Sequence, residues 1–157
     1  MNAEDKLIDI NRLRLHYLDW GNGDSKPMVL LHGIMGHAHV WDDFAVAFKK
    51  HYHVIALDQR GHGESQWSKE SDYTMDAHFT DIAEFVDTLD LKDIVLIGHS
   101  MGGRNALYYA ACVPESVQKM VLVDSRLETN AESCKALMTL FASLPTKVDS
   151  RVSWHIS

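Results

Sequence analysis

The sequence predicts an α/β fold: a mostly parallel sheet of about six strands with helices on both faces, opened by an N-terminal antiparallel hairpin. Three observations carry that expectation. Short apolar runs alternate with segments whose apolar residues recur at helical spacing, an order that implies right-handed crossovers and parallel strands. The runs at 28–31, 54–57 and 94–97 are apolar throughout, as strands buried on both faces are. Ahead of them, residues 6–10 and 13–19 alternate apolar with polar side chains around Asn11-Arg12, as a hairpin with one wet face would.

The elements follow in order. The segment 21–27 is turn chemistry, and 28–31 is the first buried strand, followed by the loop His32-Gly33-Ile34-Met35-Gly36. From about 38 to 49, Trp41, Phe44 and Phe48 fall on one helical face and are read as core. Strand 54–57 leads into Asp58-Gln59-Arg60-Gly61-His62-Gly63-Glu64-Ser65. Trp67 and Tyr73 in the next loop are read as surface packing. Thr74 can cap a helix in which Met75, Phe79, Ile82, Val86 and Leu89 recur at three- and four-residue steps. Strand 94–97 and a helix to about Cys112 come next, stopped near Pro114, and then a strand at 121–123 ending at Asp124. A last amphipathic helix is expected over about 128–143. No repeat or linker divides the chain, so residues 1–157 read as a single domain, with about 126–157 as the start of a cap or a helical tail.

The most informative stretch is Ile94-Val95-Leu96-Ile97-Gly98-His99-Ser100-Met101-Gly102-Gly103. It reads as strand, sharp turn, helix, with Ser100 at the tip. A residue on so tight a turn is held at unusual φ/ψ, and only small neighbours leave room for it. This is the Gly-x-Ser-x-Gly nucleophile-elbow pattern, which lifts a serine hydroxyl beyond the carboxyl end of a sheet. Ligands of open parallel sheets bind at that end. The loops at 32–36, 58–65 and 98–102 all leave it, and all three are glycine-rich, as close backbone approach to a ligand would require.

Composition narrows the classes. A net charge of −7 with no cluster of basic residues argues against nucleic acid and against an anionic membrane surface. No apolar run approaches membrane-spanning length, and no signal peptide is visible in the acidic N-terminus. Cys112 and Cys134 lack metal-type spacing and suit a reduced, cytoplasmic setting. The ten histidines are scattered without a ligand cluster, so no metal is expected.

His32-Gly33-Ile34, the 58–65 segment and Gly98-His99-Ser100-Met101-Gly102-Gly103, in this order and at these spacings, make the sequence resemble the α/β-hydrolase superfamily. The likeness runs from about residue 6 to about 145 and is strongest to small esterase, lipase-like and cofactor-free perhydrolase members. The resemblance implies Ser100 as nucleophile and the backbone N–H groups of Met101 and Ile34 as the oxyanion hole. A substrate-binding role is expected of His32 and Gly33, at the carboxyl end of the sheet, although the resemblance implies that the histidines of these motifs, His32 and His62, are mostly structural. The chemistry agrees: acyl transfer develops negative charge on a carbonyl oxygen, which two fixed amides can stabilise. Dehalogenases and epoxide hydrolases of the superfamily carry an aspartate at the elbow, so Ser100 argues against both.

In the family the base is a histidine after the last strand, oriented by an acid after the penultimate one. Relative to that pattern the chain is expected to be a core lacking its last two strands. Two readings follow. One is a serine hydrolase of carboxylic esters, with Asp124 as acid and His155 as base, in cis or from a neighbouring copy. His32 and His62 rank below His155 as bases, and the His99 side chain is expected to point away from Ser100. The other is a degenerate scaffold with little turnover, acting as a self-associating or binding module. The expected partner is a small-molecule ester. Homo-oligomers are expected through the sheet edge at 120–123 or the 128–143 helix, because an exposed apolar edge recruits another chain.

Overall fold

A computed structural model describes residues 3–125 of the protein. Six strands form one sheet: β1 (Glu4–Ile10), β2 (Leu13–Asp19), β3 (Pro27–Leu31), β4 (His53–Leu57), β5 (Ile94–His99) and β6 (Val117–Val123). Their spatial order is β1-β2-β4-β3-β5-β6. The pairs β1–β2 and β2–β4 are antiparallel, and β4–β3, β3–β5 and β5–β6 are parallel. Three α-helices connect the parallel strands: α1 (Asp42–Phe48), α2 (Met75–Thr88) and α3 (Met101–Cys112). The architecture expected from the sequence is therefore the one observed.

Alternation along each buried strand divides the core. Val29 and Leu31 of β3 face one cluster with Ile82 and Phe85 of α2 and Tyr109 of α3. Met28 and Leu30 face the opposite cluster with Trp41 and Ala45. Both faces of the sheet are thus covered, which explains why the central strands are apolar throughout. Thr74 caps α2 as expected, its Oγ1 accepting the Ala77 N–H at 3.2 Å.

The hairpin turn is made by Asn11 and Arg12, at φ 49° and 63°. Two successive left-handed residues match the twist of a two-residue hairpin. Its second strand departs from the expected one-sided pattern. Along β2 only Arg14 is exposed, and His16 and Asp19 are buried. The reason is position: β2 lies between β1 and β4, and the 58–65 loop folds over His16. The helical region near 38–49 also differs. It starts as a 3-10 turn at Ala38–Trp41. Phe48, read as core, is 37% exposed and stacks on Phe44 at 4.5 Å between ring centroids.

The 58–65 loop is not an open ligand cradle. The Asp58 carboxylate accepts the N–H groups of Ala38 at 2.5 Å and Glu64 at 2.9 Å and bonds His16 Nδ1 at 2.8 Å. Ser65 Oγ donates to the Asp58 carbonyl and accepts the His16 N–H. Gly63, at φ 54°, leaves the space that the Asp58 carboxylate fills. The motif is an internal lock that joins loop, hairpin and helix.

β6 begins at Val117, earlier than the apolar run suggested, and its register against β5 shifts at Ile94/Val95. Among the described residues it is an edge strand. Val121, Leu122 and Val123 are 46%, 37% and 41% exposed.

Candidate active site

Ser100 stands between β5 and α3 at φ 50° and ψ −110°. A side-chain-bearing residue held there stores strain on the order of 1–3 kcal/mol, which the surroundings must hold. They do so from two sides. The Ser100 N–H donates to the Val123 carbonyl at 3.0 Å, so the end of β6 braces the turn. The Ser100 carbonyl accepts the N–H groups of Gly103 and Arg104 and, at 3.2 Å, the Ser125 hydroxyl.

Close approach explains the flanking glycines. A Cβ on Gly102 would lie 2.5 Å from the His32 carbonyl oxygen and 2.6 Å from the Leu31 carbonyl carbon. Helix α3 can therefore start against the end of β3 only if residue 102 lacks a side chain. A Cβ on Gly33 would lie 2.7 Å from His99 Nδ1 and 3.2 Å from Ser100 Cβ. The 32–36 loop thus abuts the elbow, and the His99 ring packs on the same glycine that Ser100 approaches.

Met101 is the first residue of α3, where an amide has no carbonyl four residues back to bond. Its N–H lies at the positive end of the helix. Ile34 follows Gly33 directly, with its side chain 46% exposed.

His32 is fully buried, and both ring nitrogens are engaged. Nδ1–H donates to the Gly33 carbonyl at 2.8 Å, and Nε2 accepts the Gln59 backbone N–H at 3.0 Å. Burial pushes its pKa down to about 4, so the ring is neutral near pH 7. The sequence suggested a substrate contact for His32. Its side chain instead supports the loop from beneath, and what it brings to the surface is the position of Gly33. His62 is half-buried and donates from Nδ1 to the Arg60 carbonyl at 3.0 Å, its ring 5.1 Å from that of His32.

Asp124 follows β6 at φ 44° with its side chain exposed, one residue beyond the carbonyl that holds the Ser100 N–H. His155 and the 128–143 segment lie outside the described residues. Ser100, Met101, Gly33, Ile34 and Asp124 are therefore brought to one end of the sheet. Trp67 is exposed, and Tyr73 packs on Gly61. The sequence reading passed over Gln59 and Asn105, buried polar residues beneath the loop, and Asp81, which pairs with Arg60. A polar residue in an apolar helical pattern was the available signal for Asp81, but its partner is 21 residues away.

Among the described residues no group of three or more His, Cys, Asp or Glu side chains could hold a metal ion. No helix among them is long and apolar enough to cross a membrane.

A family model described as the alpha/beta hydrolase fold matches residues 26–156. Epoxide hydrolase 4 of Mus musculus is 37% identical over 113 residues, covering 71% of this chain and 32% of that protein. Non-heme chloroperoxidase of Streptomyces lividans is 42% identical over 113 residues, with coverage of 71% and 41%. The crystal structure of E-2-(acetamidomethylene)succinate hydrolase matches with a TM-score of 0.81 and 30% identity, over 88% of this chain and 50% of that one. The chain spans less than half the length of these two curated relatives.

Proposed function

This chain belongs to the α/β-hydrolase family, and from that premise we propose that it cleaves carboxylic esters through an acyl-enzyme on Ser100. The observation that supports this best is the strained, doubly braced Ser100 at the β5–α3 junction. In the proposed reaction Ser100 Oγ attacks the ester carbonyl carbon and gives its proton to a base. The N–H groups of Met101 and Ile34 hold the oxyanion. Collapse expels the alcohol, which takes the proton, and water then releases the acid by the same route. Asp124 and His155 are the proposed acid and base. The neutral, fully engaged His32 does not compete for the second role. Epoxide hydrolase 4 is similar in sequence, but with serine at the elbow the ester reading is the stronger one. The free, exposed thiol of Cys112 supports a reducing, cytoplasmic setting.

A fluorophosphonate probe tests the proposal. Stoichiometric labelling of the wild type and none of Ser100→Ala is expected, with kcat/KM rising through an acidic limb near the pKa of histidine as the base loses its proton. An unlabelled wild type would favour the second reading, a scaffold without turnover. Slow hydrolysis of an activated ester does not separate the two, since such sites keep roughly 10³–10⁴ over water when a triad member is missing.

We propose also that a second copy of this chain docks on β6. Exposed apolar residues on both faces of β6, an edge strand among the described residues, support this. Light scattering of the 157-residue chain is expected to show dimers or larger species, reduced in Val121→Lys. A clean monomer at micromolar concentration refutes it.

A further inference from the structure

A chain of buried polar groups runs from α3 to the 32–36 loop. Asn105 Nδ2 donates to Gln59 Oε1 at 2.7 Å. Gln59 Nε2 donates to the His32 carbonyl at 2.7 Å, and the Gln59 backbone N–H donates to His32 Nε2 at 3.0 Å. His32 Nδ1 then donates to the Gly33 carbonyl at 2.8 Å. Asn105, Gln59 and His32 are 4%, 2% and 0% exposed. Buried polar groups cost stability unless satisfied, and a linked set that is fully satisfied rigidifies its surroundings.

The far end of this chain points to its use. A trans peptide unit aims its C=O and N–H in opposite directions. The Gly33 carbonyl is drawn toward His32 Nδ1 and also accepts the Gly36 N–H at 3.0 Å. The N–H of the same peptide unit, that of Ile34, must face the other way. The near end of the chain is on α3, four residues after Met101, whose amide is the other proposed donor. The buried set therefore spans from the element carrying one donor to the peptide carrying the other.

We infer that Asn105 and Gln59 are positioning residues that fix the aim of the Ile34 N–H relative to Ser100, acting through His32. The inference rests on the reading of Ile34 as an oxyanion donor. The tautomer follows from the partners. A backbone N–H can only donate, so His32 Nε2 is unprotonated; a carbonyl can only accept, so Nδ1 carries the proton. Without Asn105 the Gln59 amide keeps only one of its two bonds, and without the Gln59 amide the His32 carbonyl loses its tie to the loop that follows β4.

The test compares a p-nitrophenyl ester with its thionoester, whose sulfur accepts hydrogen bonds poorly. The wild type is expected to prefer the oxygen ester. Asn105→Ala and Gln59→Leu are expected to shrink that preference about tenfold or more through kcat, with KM little changed and circular dichroism preserved. A preference kept intact in the folded variants overturns the positioning role and leaves Ile34 as donor. No preference in the wild type overturns Ile34 as donor, and the positioning role with it. Should the variants not fold, 15N NMR of wild-type His32 decides: the Nδ1–H tautomer is expected, and an Nε2–H form overturns the inference.

Discussion

Replacing Asp81 with alanine is expected to destabilise the fold by about 3–5 kcal/mol, the cost of leaving a buried charge without its partner. Arg60 Nε and Nη2 donate to the two oxygens of Asp81 at 2.6 and 2.7 Å, and both side chains are almost fully buried. Asn11 Nδ2 adds a third bond to the carboxylate at 3.2 Å, and Arg60 Nη1 reaches the Asp72 carbonyl at 2.8 Å. The pair thus ties the hairpin turn, the 58–65 loop and α2 to one point. In Asp81→Ala the guanidinium keeps its charge and loses its counter-ion, whereas an apolar pair such as Arg60→Met with Asp81→Leu removes both charges together. The double variant is therefore expected to recover much of the loss. Urea unfolding followed by circular dichroism measures both. A loss below about 1 kcal/mol in Asp81→Ala would place this pair among weak surface bridges and refute the assignment.

Acid is expected to weaken the protein before most of its carboxylates titrate. His32 and His78 both have their pKa pushed from 6.5 down to about 4, chiefly because burial disfavours the charged ring. Around His32, His62 and His37 push the same way, while the Gly33 carbonyl and Asp58 oppose. Around His78, Arg60 and His62 push it down, while Asp81 and Asp72 oppose. Above pH 6.5 both rings are neutral, folded or unfolded, and the full stability is present. As pH falls through 6.5 the unfolded chain binds protons first, so stability declines until the folded rings titrate near 4. Each histidine contributes a loss on the order of 3 kcal/mol. Urea midpoints at pH 7 and pH 4.5 check this, with His78→Gln expected to show a clearly smaller drop between them. Equal drops in the two proteins would remove His78 from the account.

These two networks mark where the sequence stops being legible. The strand runs, the Thr74 cap, the Asn11-Arg12 turn and the Ser100 elbow were readable because each depends on residues within a few positions of one another. Local chemistry is enough for a cap, a two-residue turn or a glycine-flanked serine. The hairpin's second strand was misread as half wet because His16 is satisfied by Asp58, 42 residues away. The 58–65 segment was misread as open to a ligand for the same reason. Its glycines make room for Asp58 and Tyr73, side chains of the protein itself. The start of β6 was missed because Gln118 and Lys119 break its apolar run, and an edge strand tolerates them.

By itself, then, the sequence determined the α/β class, the order of its elements and the serine at the tip of the β5–α3 turn, since periodicity, capping and tight turns are properties of neighbouring residues. Only the tertiary structure decided which polar residues work together. It showed that His32 is a buried, neutral support, that Arg60 belongs to Asp81, and that Asn105 reaches the 32–36 loop through Gln59. Such pairings join residues tens of positions apart, and only the packing of strands and helices brings their donors and acceptors within bonding distance while excluding the water that would otherwise satisfy them.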